Sequence, residues 1–292
     1  MISRYAVFCR VMECGSFTKA AQALGYSQSS VSQTVRSLEE ELGVTLLDRR
    51  RGAIRLTADG EQLWPYLRAV AGAERALGEK RRELAGLENT TIRLGTFTSV
   101  SRDLLPETME AFREKYPSVR FLLRQGEYTS ITGWLLDGQV DLGFLNMDTG
   151  AGLEAKPLLR DRFFAVLPKG HPLAKRETVS LAELAAEPFI LLDEGERSLL
   201  LEAFAEKGLA PQIEYTVTDD YSILAMVRRG LGVSAMYGLM LSGFEDEVAV
   251  RPIREQPERV IALAWRRWET LPLAARRFAQ FLLRRSRGET GA

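Results

Sequence analysis

Short amphipathic segments follow one another near the N-terminus. The first has an apolar stripe at helical spacing, made of Tyr5, Phe8, Cys9 and Met12. This stripe predicts a helix that Gly15 ends. A second helix is predicted to begin at Thr18, whose hydroxyl can accept a hydrogen bond from a free backbone N–H. It runs through small residues to Leu24, and Gly25 suits the left-handed position that follows a helix.

The third predicted helix has two contrasting faces. Ser27 is suited to cap it, and its apolar stripe consists of Val31, Val35, Leu38 and Leu42. The opposite face is polar and consists of Gln28, Ser29, Ser32, Gln33 and Arg36. These side chains suit base edges and phosphates, because none of them is acidic. Plain solvation of a surface helix would give the same pattern, but the charges nearby favour nucleic acid.

Arginines crowd the segment after this helix, at positions Arg49, Arg50, Arg51 and Arg55. The acidic residues 39–41 begin only beyond the exposed first turns of the third helix. Ile54 and Leu56 alternate with polar residues, and this alternation predicts a tight hairpin wing. A wing of that charge suits phosphates or a narrow minor groove.

A long helix is predicted next, with Thr57 as its cap. Apolar residues recur along it every seven positions, at Leu63, Val70, Leu77 and Leu84. This heptad pattern favours a short coiled coil and hence dimerisation, although the stripe can also pack on its own domain. Pro65 predicts either a kink or a later start of the helix.

From Thr90 onward strands alternate with helices, which indicates an α/β fold with a mainly parallel sheet. The predicted strands are residues 92–97, 119–123 and 141–145 in a first half, and 163–167, 189–192, 214–217 and 232–236 in a second. A C-terminal helix at 274–283 is predicted to return to the first half. Crossover strands near residues 146–159 and near Trp265 would join two lobes around a cleft, where such sheets bind ligands.

Composition narrows the function classes. The chain has 292 residues, an apolar share of 46% and a formal net charge of zero, so only the local arginine cluster argues for nucleic acid. Without a signal peptide or a membrane-length apolar run, a cytoplasmic protein is expected, which disfavours a transporter's solute-binding protein. Two cysteines, one histidine and no catalytic motif predict no metal, no cofactor and no enzyme, although an enzyme with a DNA-binding appendage is an alternative.

Several motifs together resemble the LysR-type transcriptional regulators. They are residues 15–21 (GSFTKAA), 27–32 (SQSSVS), 38–39 (LE), 42–43 (LG), 56–60 (LTADG), 168–174 (PKGHPLA) and 230–233 (GLGV). The resemblance implies a winged helix-turn-helix, a linker helix that dimerises, and a two-lobed effector domain like that of periplasmic binding proteins. It also implies a homotetramer that binds an interrupted dyad in double-stranded DNA, with RNA polymerase as a further candidate partner.

Carried over from the family, the base-reading positions fall at Gln28, Ser29, Ser32 and Gln33. Ser29 stands where proline is frequent and Gln33 where arginine is frequent, so a preference for adenine over guanine is expected at Gln33. The full predicted DNA-binding set is Thr18, Gln28, Ser29, Ser32, Gln33, Arg36, Arg50, Arg51 and Arg55. Arg36 and Arg51 would contact the backbone or minor groove, while Arg49 would be partly structural.

The predicted effector site lies at the strand-to-helix edges of the cleft, at Thr98, Ser99, Ser101, Thr129, Asn146, Asp193 and Glu194. Thr98, Ser99 and Ser101 would seat an anion beside free helix N–H groups, or serve only as helix caps. Asp193 and Glu194 would repel a second anionic group, so a zwitterionic or neutral ligand is expected there unless both turn outward. Asp219 and Asp220 are interpreted as caps, and His171 as structural.

These observations predict three domains: a winged helix-turn-helix at 1–58, a linker helix at 59–88 and an effector-binding domain at 89–292. Lobe I would comprise about 89–146 plus 267–292, and lobe II about 160–265. The predicted function is a bacterial transcription regulator that binds a promoter dyad. It would respond to a small-molecule effector bound between the lobes.

Overall fold

The computed structural model describes residues 2–48, 54–84, 90–194, 198–244 and 246–286. The N-terminal part consists of α1 (Arg4–Cys14), α2 (Phe17–Leu24), α3 (Gln28–Leu42), β1 (Leu47–Asp48), β2 (Arg55–Leu56) and α4 (Ala58–Leu84). The first three helices end at Gly15, Gly25 and Gly43, each with a positive φ that glycine adopts without strain. Their apolar stripes meet in one core around the fully buried Phe8, Val35 and Leu38.

The cap of α2 differs from the prediction. Ser16 rather than Thr18 caps the helix, and its hydroxyl accepts a hydrogen bond from Lys19 N at 3.3 Å. Because α2 begins at Phe17, Thr18 lies inside the first turn and is exposed. The predicted cap of α3 is confirmed, since Ser27 Oγ accepts from Ser30 N at 3.1 Å.

The predicted wing is an antiparallel pair of short strands, in which Leu47 faces Leu56 and Asp48 faces Arg55. Its first strand is held by Glu39, whose carboxylate accepts hydrogen bonds from the backbone N–H groups of Leu46 and Leu47 at 2.8 and 3.1 Å. The predicted DNA contacts at Arg50 and Arg51, and the neighbouring Arg49, lie outside the described residues.

The linker helix α4 begins at Ala58, and Thr57 Oγ1 accepts from Gly60 N at 2.9 Å as predicted. The helix continues through Pro65, so the alternative of a later start is wrong. Its heptad residues have different surroundings, because Leu63 packs on the N-terminal core whereas Val70 and Leu77 are 40% and 71% exposed. The side chain of Leu84 lies outside the described residues.

Lobe I is formed by β3 (Thr91–Thr96), α5 (Leu105–Lys115), β4 (Arg120–Gln125), α6 (Tyr128–Leu136) and β5 (Leu142–Asn146), joined by the C-terminal helix. Strands β4, β3 and β5 are parallel neighbours. A π-helical turn, Val100–Leu104, precedes α5. The C-terminal helix packs on this lobe as predicted, since its Phe278 and Leu282 share a core with Phe112 of α5.

Lobe II is reached through β6 (Glu154–Leu167). It contains α7 (Leu181–Ala185), β7 (Pro188–Leu192), α8 (Leu199–Glu206), β8 (Gln212–Val217), α9 (Asp220–Arg228), β9 (Ser234–Tyr237), α10 (Gly238–Leu241) and β10 (Ala249–Pro252). The chain then returns through β11 (Glu258–Trp265) to α11 (Leu273–Ser286). Two apolar cores on opposite sides of β6 stabilise the lobe, one around Phe189 and Phe204 and the other around Ile223 and Met236.

The strands β6 and β11 connect the lobes as one antiparallel pair that runs from Glu154–Trp265 to Arg162–Glu258. β6 also pairs antiparallel with β9 and β10, and β11 with β5. The prediction of a mainly parallel sheet is therefore wrong, because the sheet is mixed. Its physical reason is that the two crossover strands run in opposite directions, which the apolar pattern of a single strand does not reveal.

The linker helix touches lobe I at the C-terminal end of α6. Arg68 forms an ion pair with Asp137, and Arg75 donates to the carbonyl oxygen of Gly138. Gly72 allows this close approach, because a Cβ there would lie 2.8 Å from the Asp137 carbonyl oxygen. In the described part of the chain, no helix is both long enough and apolar enough to cross a membrane.

Candidate functional site

The polar face of α3 is presented to solvent. Gln28, Ser29, Gln33 and Arg36 are exposed and Ser32 is half-buried, while the apolar stripe opposite them is buried. Two nearby acids are engaged elsewhere, since Glu39 holds the wing and Glu41 pairs with Arg4 at 2.8 Å. The first turns of α3 therefore offer amides, hydroxyls and one guanidinium to a polyanion.

The first turn of α3 contains a local hydrogen bond that engages the Ser29 hydroxyl. Ser29 Oγ lies 2.9 Å from the capping hydroxyl of Ser27. Gln33 lies one helical turn after Ser29, and the amides of Gln28 and Gln33 are able to make paired hydrogen bonds to adenine. Thr18 is exposed on α2, and Arg55 is exposed on the described wing strand.

A cleft of about 400 Å³ lies between the lobes. It is lined by Thr98, Ser99, Asp193 and Glu194 among the predicted effector residues. Three others lie outside its lining. Ser101 Oγ is 3.1 Å from Thr96 Oγ1, Thr129 is exposed on α6, and Asn146 is buried at the end of β5.

Thr98 and Ser99 enter the cleft at an irregular helix start. The backbone bends through the π-helical turn Val100–Leu104 directly after them, an insertion that is frequent at functional sites. Ser99 is 5% exposed, so its hydroxyl requires a partner inside the protein.

That partner is Arg259 on β11, which the sequence analysis missed. Its Nη2 donates to Ser99 Oγ and to Asp161 Oδ2, each at 2.7 Å, and its Nη1 donates to Tyr128 Oη at 2.9 Å. Arg259 and Asp161 are register partners across β11 and β6, and both are 4% exposed. The ion pair thus lies on the strands that connect the lobes, and Arg259 hydrogen-bonds to Ser99, just before the π-helical turn, and to Tyr128 at the start of α6.

Arg259 also lies against the aromatic lining of the cleft. Its guanidinium carbon is 3.5 Å from the ring centroid of Tyr237 and 4.7 Å from that of Phe97. Phe97 and Tyr128 meet edge to face at 5.3 Å. The hydroxyl of Tyr237 lies beside Glu194 but is buried without a hydrogen bond of acceptable geometry to any described residue.

The lobe II side of the cleft is acidic. Burial raises the pKa of the Glu194 carboxyl to about 7, although Arg259 and the Tyr237 hydroxyl act to lower it. Burial also raises the pKa of Asp220, against the opposing effect of Arg259. Asp219 caps α9 as predicted, but the interpretation of Asp220 as a cap is wrong, because Asp220 lies in the first helical turn and lines the cleft.

The surroundings of two further residues, His171 and Cys9, indicate structural rather than reactive roles. His171 Nδ1 accepts from Leu173 N at 3.3 Å at the start of a short 3₁₀ helix, which confirms its structural interpretation. Burial raises the pKa of the Cys9 thiol to about 12, with the Glu13 carboxylate acting in the same direction. A thiol of that pKa is a poor nucleophile at neutral pH.

A winged helix-turn-helix joined by a long helix to a two-lobed cleft domain defines a ligand-responsive, DNA-binding class of regulator. Comparison with family sequence profiles gives the particular family. The profile of the bacterial regulatory helix-turn-helix protein, lysR family, matches residues 2–61, and that of the LysR substrate binding domain matches residues 85–287. The chain belongs to the LysR family of DNA-binding transcription regulators.

Individual relatives agree with this assignment. The chain is 32% identical over 282 residues to YvbU of Bacillus subtilis (strain 168), an uncharacterized HTH-type transcriptional regulator, and the match covers 96% of each chain. It is also similar to the full-length structure of an OxyR variant from Pseudomonas aeruginosa, with 25% identity, a TM-score of 0.74 and coverage of 97% and 93%. Because these families are regulators, the prediction that the chain is not an enzyme is confirmed.

The fold also matches a structure that contains DNA. Full-length CbnR complexed with its target DNA has a TM-score of 0.69 and 24% identity, with coverage of 97% of this chain and 98% of that chain. At that identity the similarity concerns the fold.

Proposed function

We propose that this regulator binds an interrupted dyad beside a promoter, with one α3 helix in each major-groove half-site. The observation that carries the proposal is the exposed, acid-free polar face at the start of α3. Gln28, Ser29, Ser32 and Gln33 would contact base edges, and Arg36 and Arg51 would contact the backbone or minor groove. Thr18, Arg50 and Arg55 complete the predicted DNA-binding set.

A dyad requires two copies of the chain, and α4 offers a surface for pairing. Tyr66, Val70 and Leu77 lie on this helix with 70%, 40% and 71% of their surfaces exposed. Pairing would remove these apolar side chains from water. Leu63 is already used by the N-terminal core, so the proposed dimer seam is centred on Val70 and Leu77, with Leu84 as its predicted extension. Pairs of dimers would give the predicted tetramer.

The inter-lobe cleft is proposed as the effector site, and α6 as its connection to the DNA-binding part. Tyr128 at the start of α6 bonds to Arg259 in the cleft, whereas Asp137, just after its end, pairs with Arg68 of the linker helix. An effector that binds one arrangement of the lobes more tightly would shift the positions of the paired α3 helices. We propose that the regulator acts in the cytoplasm, where RNA polymerase is a candidate partner. The proposed domain boundaries follow residues 58 and 88, as predicted from the sequence.

Footprinting on the regulator's own promoter region tests the proposal. The full chain is expected to protect two half-sites and to bind less tightly as salt rises, because lysine and arginine displace condensed counterions from phosphates. Arg36→Ala is expected to weaken binding and to reduce the salt slope by about one. Arg113→Ala, which removes an exposed arginine from α5, is the matched control. Equal affinity for the promoter region and random DNA would contradict the proposal.

A further inference from the structure

Acidic side chains outnumber basic ones among the described residues that line the cleft. The charged ones are Glu127, Asp193, Glu194, Asp220 and Arg259. The single cation already has an anionic partner, because Arg259 Nε and Nη2 both donate to Asp161 Oδ2, at 3.1 and 2.7 Å. Its remaining contacts to Ser99 and Tyr128 use further N–H groups. Arg259 is therefore a structural clamp for its own chain and offers little to an anionic ligand.

Among the described residues, Glu194 and Asp220 of lobe II form no ion pair. Burial makes both carboxyl groups costly to ionise. A cationic group placed between them would offset that cost, because opposite charges attract most strongly where water is excluded. Tyr128, Tyr237, Phe97 and Trp134 also line the cleft and offer apolar surface to the rest of such a ligand.

A second observation points independently to a ligand. Tyr237 is 3% exposed and lines the cleft, and its hydroxyl, beside Glu194, makes no hydrogen bond of acceptable geometry with the described residues. A buried hydroxyl left unpaired costs free energy, so a bound group that hydrogen-bonds to it is favoured. An ammonium group can donate to the Tyr237 oxygen and to the two carboxylates at once.

We infer that the effector is a small organic amine, whose ammonium group binds Glu194, Asp220 and Tyr237 while its apolar body packs on the aromatic lining. The inference rests on the proposed role of the cleft as the effector site. A zwitterion fits it as well, with its carboxylate toward Thr98, two residues before the π-helical turn. A simple carboxylate without an amine does not fit.

Three probes of one skeleton test the charge preference: 3-phenylpropan-1-amine, 3-phenylpropanoate and 3-phenylpropan-1-ol. Calorimetric titration and thermal melting of the full chain, without DNA, are performed slightly above neutral pH. The amine is expected to bind at least about tenfold more tightly than the other two, a difference of about 1.4 kcal/mol. Tighter binding of the carboxylate, or no binding of the amine at millimolar concentration, overturns the inference.

Substitutions of the proposed carboxylates test where the amine binds. The double substitution Glu194→Gln and Asp220→Asn is expected to abolish the preference for the amine, whereas Glu247→Gln, at an exposed lobe II acid paired with Arg228, is expected to preserve it. If the double variant folds and still prefers the amine, the inference is wrong. Because these measurements use no DNA, a negative result would not contradict the proposed promoter binding. A negative footprinting result would likewise not affect the measurement of the charge preference.

Discussion

The polar face of α3 proposed to contact DNA, the reading face, consists of Gln28, Ser29, Ser32, Gln33 and Arg36. This face and the inter-lobe cleft are built in opposite ways. The reading face takes its side chains from one helix, Gln28–Leu42, and presents them to water. The cleft assembles Ser99, Tyr128, Glu194 and Arg259 from four separate elements and buries their polar groups. Charges on the first surface are screened by solvent, whereas those in the second interact strongly and depend on one another. Single substitutions are therefore expected to act locally on the reading face and cooperatively in the cleft.

The largest effect is expected for Arg259→Met. This change leaves Asp161 as a buried carboxylate without its ionic partner, which typically costs about 3–5 kcal/mol of stability. It also removes the donors to Ser99 and Tyr128. Chemical denaturation of the full chain, followed by tryptophan fluorescence, is the measurement.

Two comparisons separate loss of the ion pair from loss of side-chain packing. Arg162→Met, on the exposed part of β6, is the matched control and is expected to change stability by less than about 0.5 kcal/mol. Adding Asp161→Leu to Arg259→Met is expected to restore part of the lost stability, because no buried charge then remains. An unchanged denaturation midpoint in Arg259→Met would mean that the cleft does not depend on this pair.

The next effect concerns pH and Glu194. The folded chain raises the pKa of this carboxyl from 4.5 to about 7, so folding favours its protonated form. Its contribution to stability is full below pH about 4.5 and is lost as pH rises to about 7, a change on the order of 3 kcal/mol. Asp220 acts in the same direction, because its pKa is also raised by burial.

Thermal melting across this pH range measures the effect. The melting temperature of Glu194→Gln is expected to exceed that of the unmodified chain most clearly above pH 7, where the unmodified chain must carry the buried charge. Glu247→Gln, at an exposed position, serves as the control. A constant difference between Glu194→Gln and the unmodified chain at all pH values would show that Glu194 titrates normally.

The contrast between the reading face and the cleft also explains which features the sequence could predict. The helices α1 to α3, the described strands of the wing and the Ser27 cap follow from spacing within a few residues. The difference from the prediction lies at α2, which Ser16 caps instead of Thr18. In the cleft, Thr98, Ser99, Asp193 and Glu194 were found from their positions at strand ends. Arg259 was not, because one arginine within a strand resembles a solvent-facing residue until its cross-strand partner Asp161 is known. Pairing between distant strands is the information that local periodicity lacks.

A smaller effect is expected at Gln33 on the reading face. Gln33→Ala removes the proposed paired hydrogen bonds to adenine and is expected to cost about 1–3 kcal/mol of discrimination at one base pair. The slope of affinity against salt is expected to stay unchanged, because no phosphate contact is lost. Fluorescence anisotropy on the promoter fragment and on a copy changed at single base pairs measures both quantities. Uniform weakening on all sequences would instead assign Gln33 to the DNA backbone.

The smallest effect separates the cap of α2 from its predicted DNA contact. Ser16→Ala removes the hydroxyl that accepts from Lys19 N and is expected to cost about 1 kcal/mol, so α2 amides should exchange hydrogen about fivefold faster. Thr18→Ala, two residues away on the exposed side, should leave the exchange unchanged while weakening DNA binding. Mass spectrometry of exchanged peptides, with anisotropy on the same samples, distinguishes them. If Thr18→Ala accelerated exchange and spared DNA binding, its hydroxyl would be supporting the helix rather than contacting phosphate.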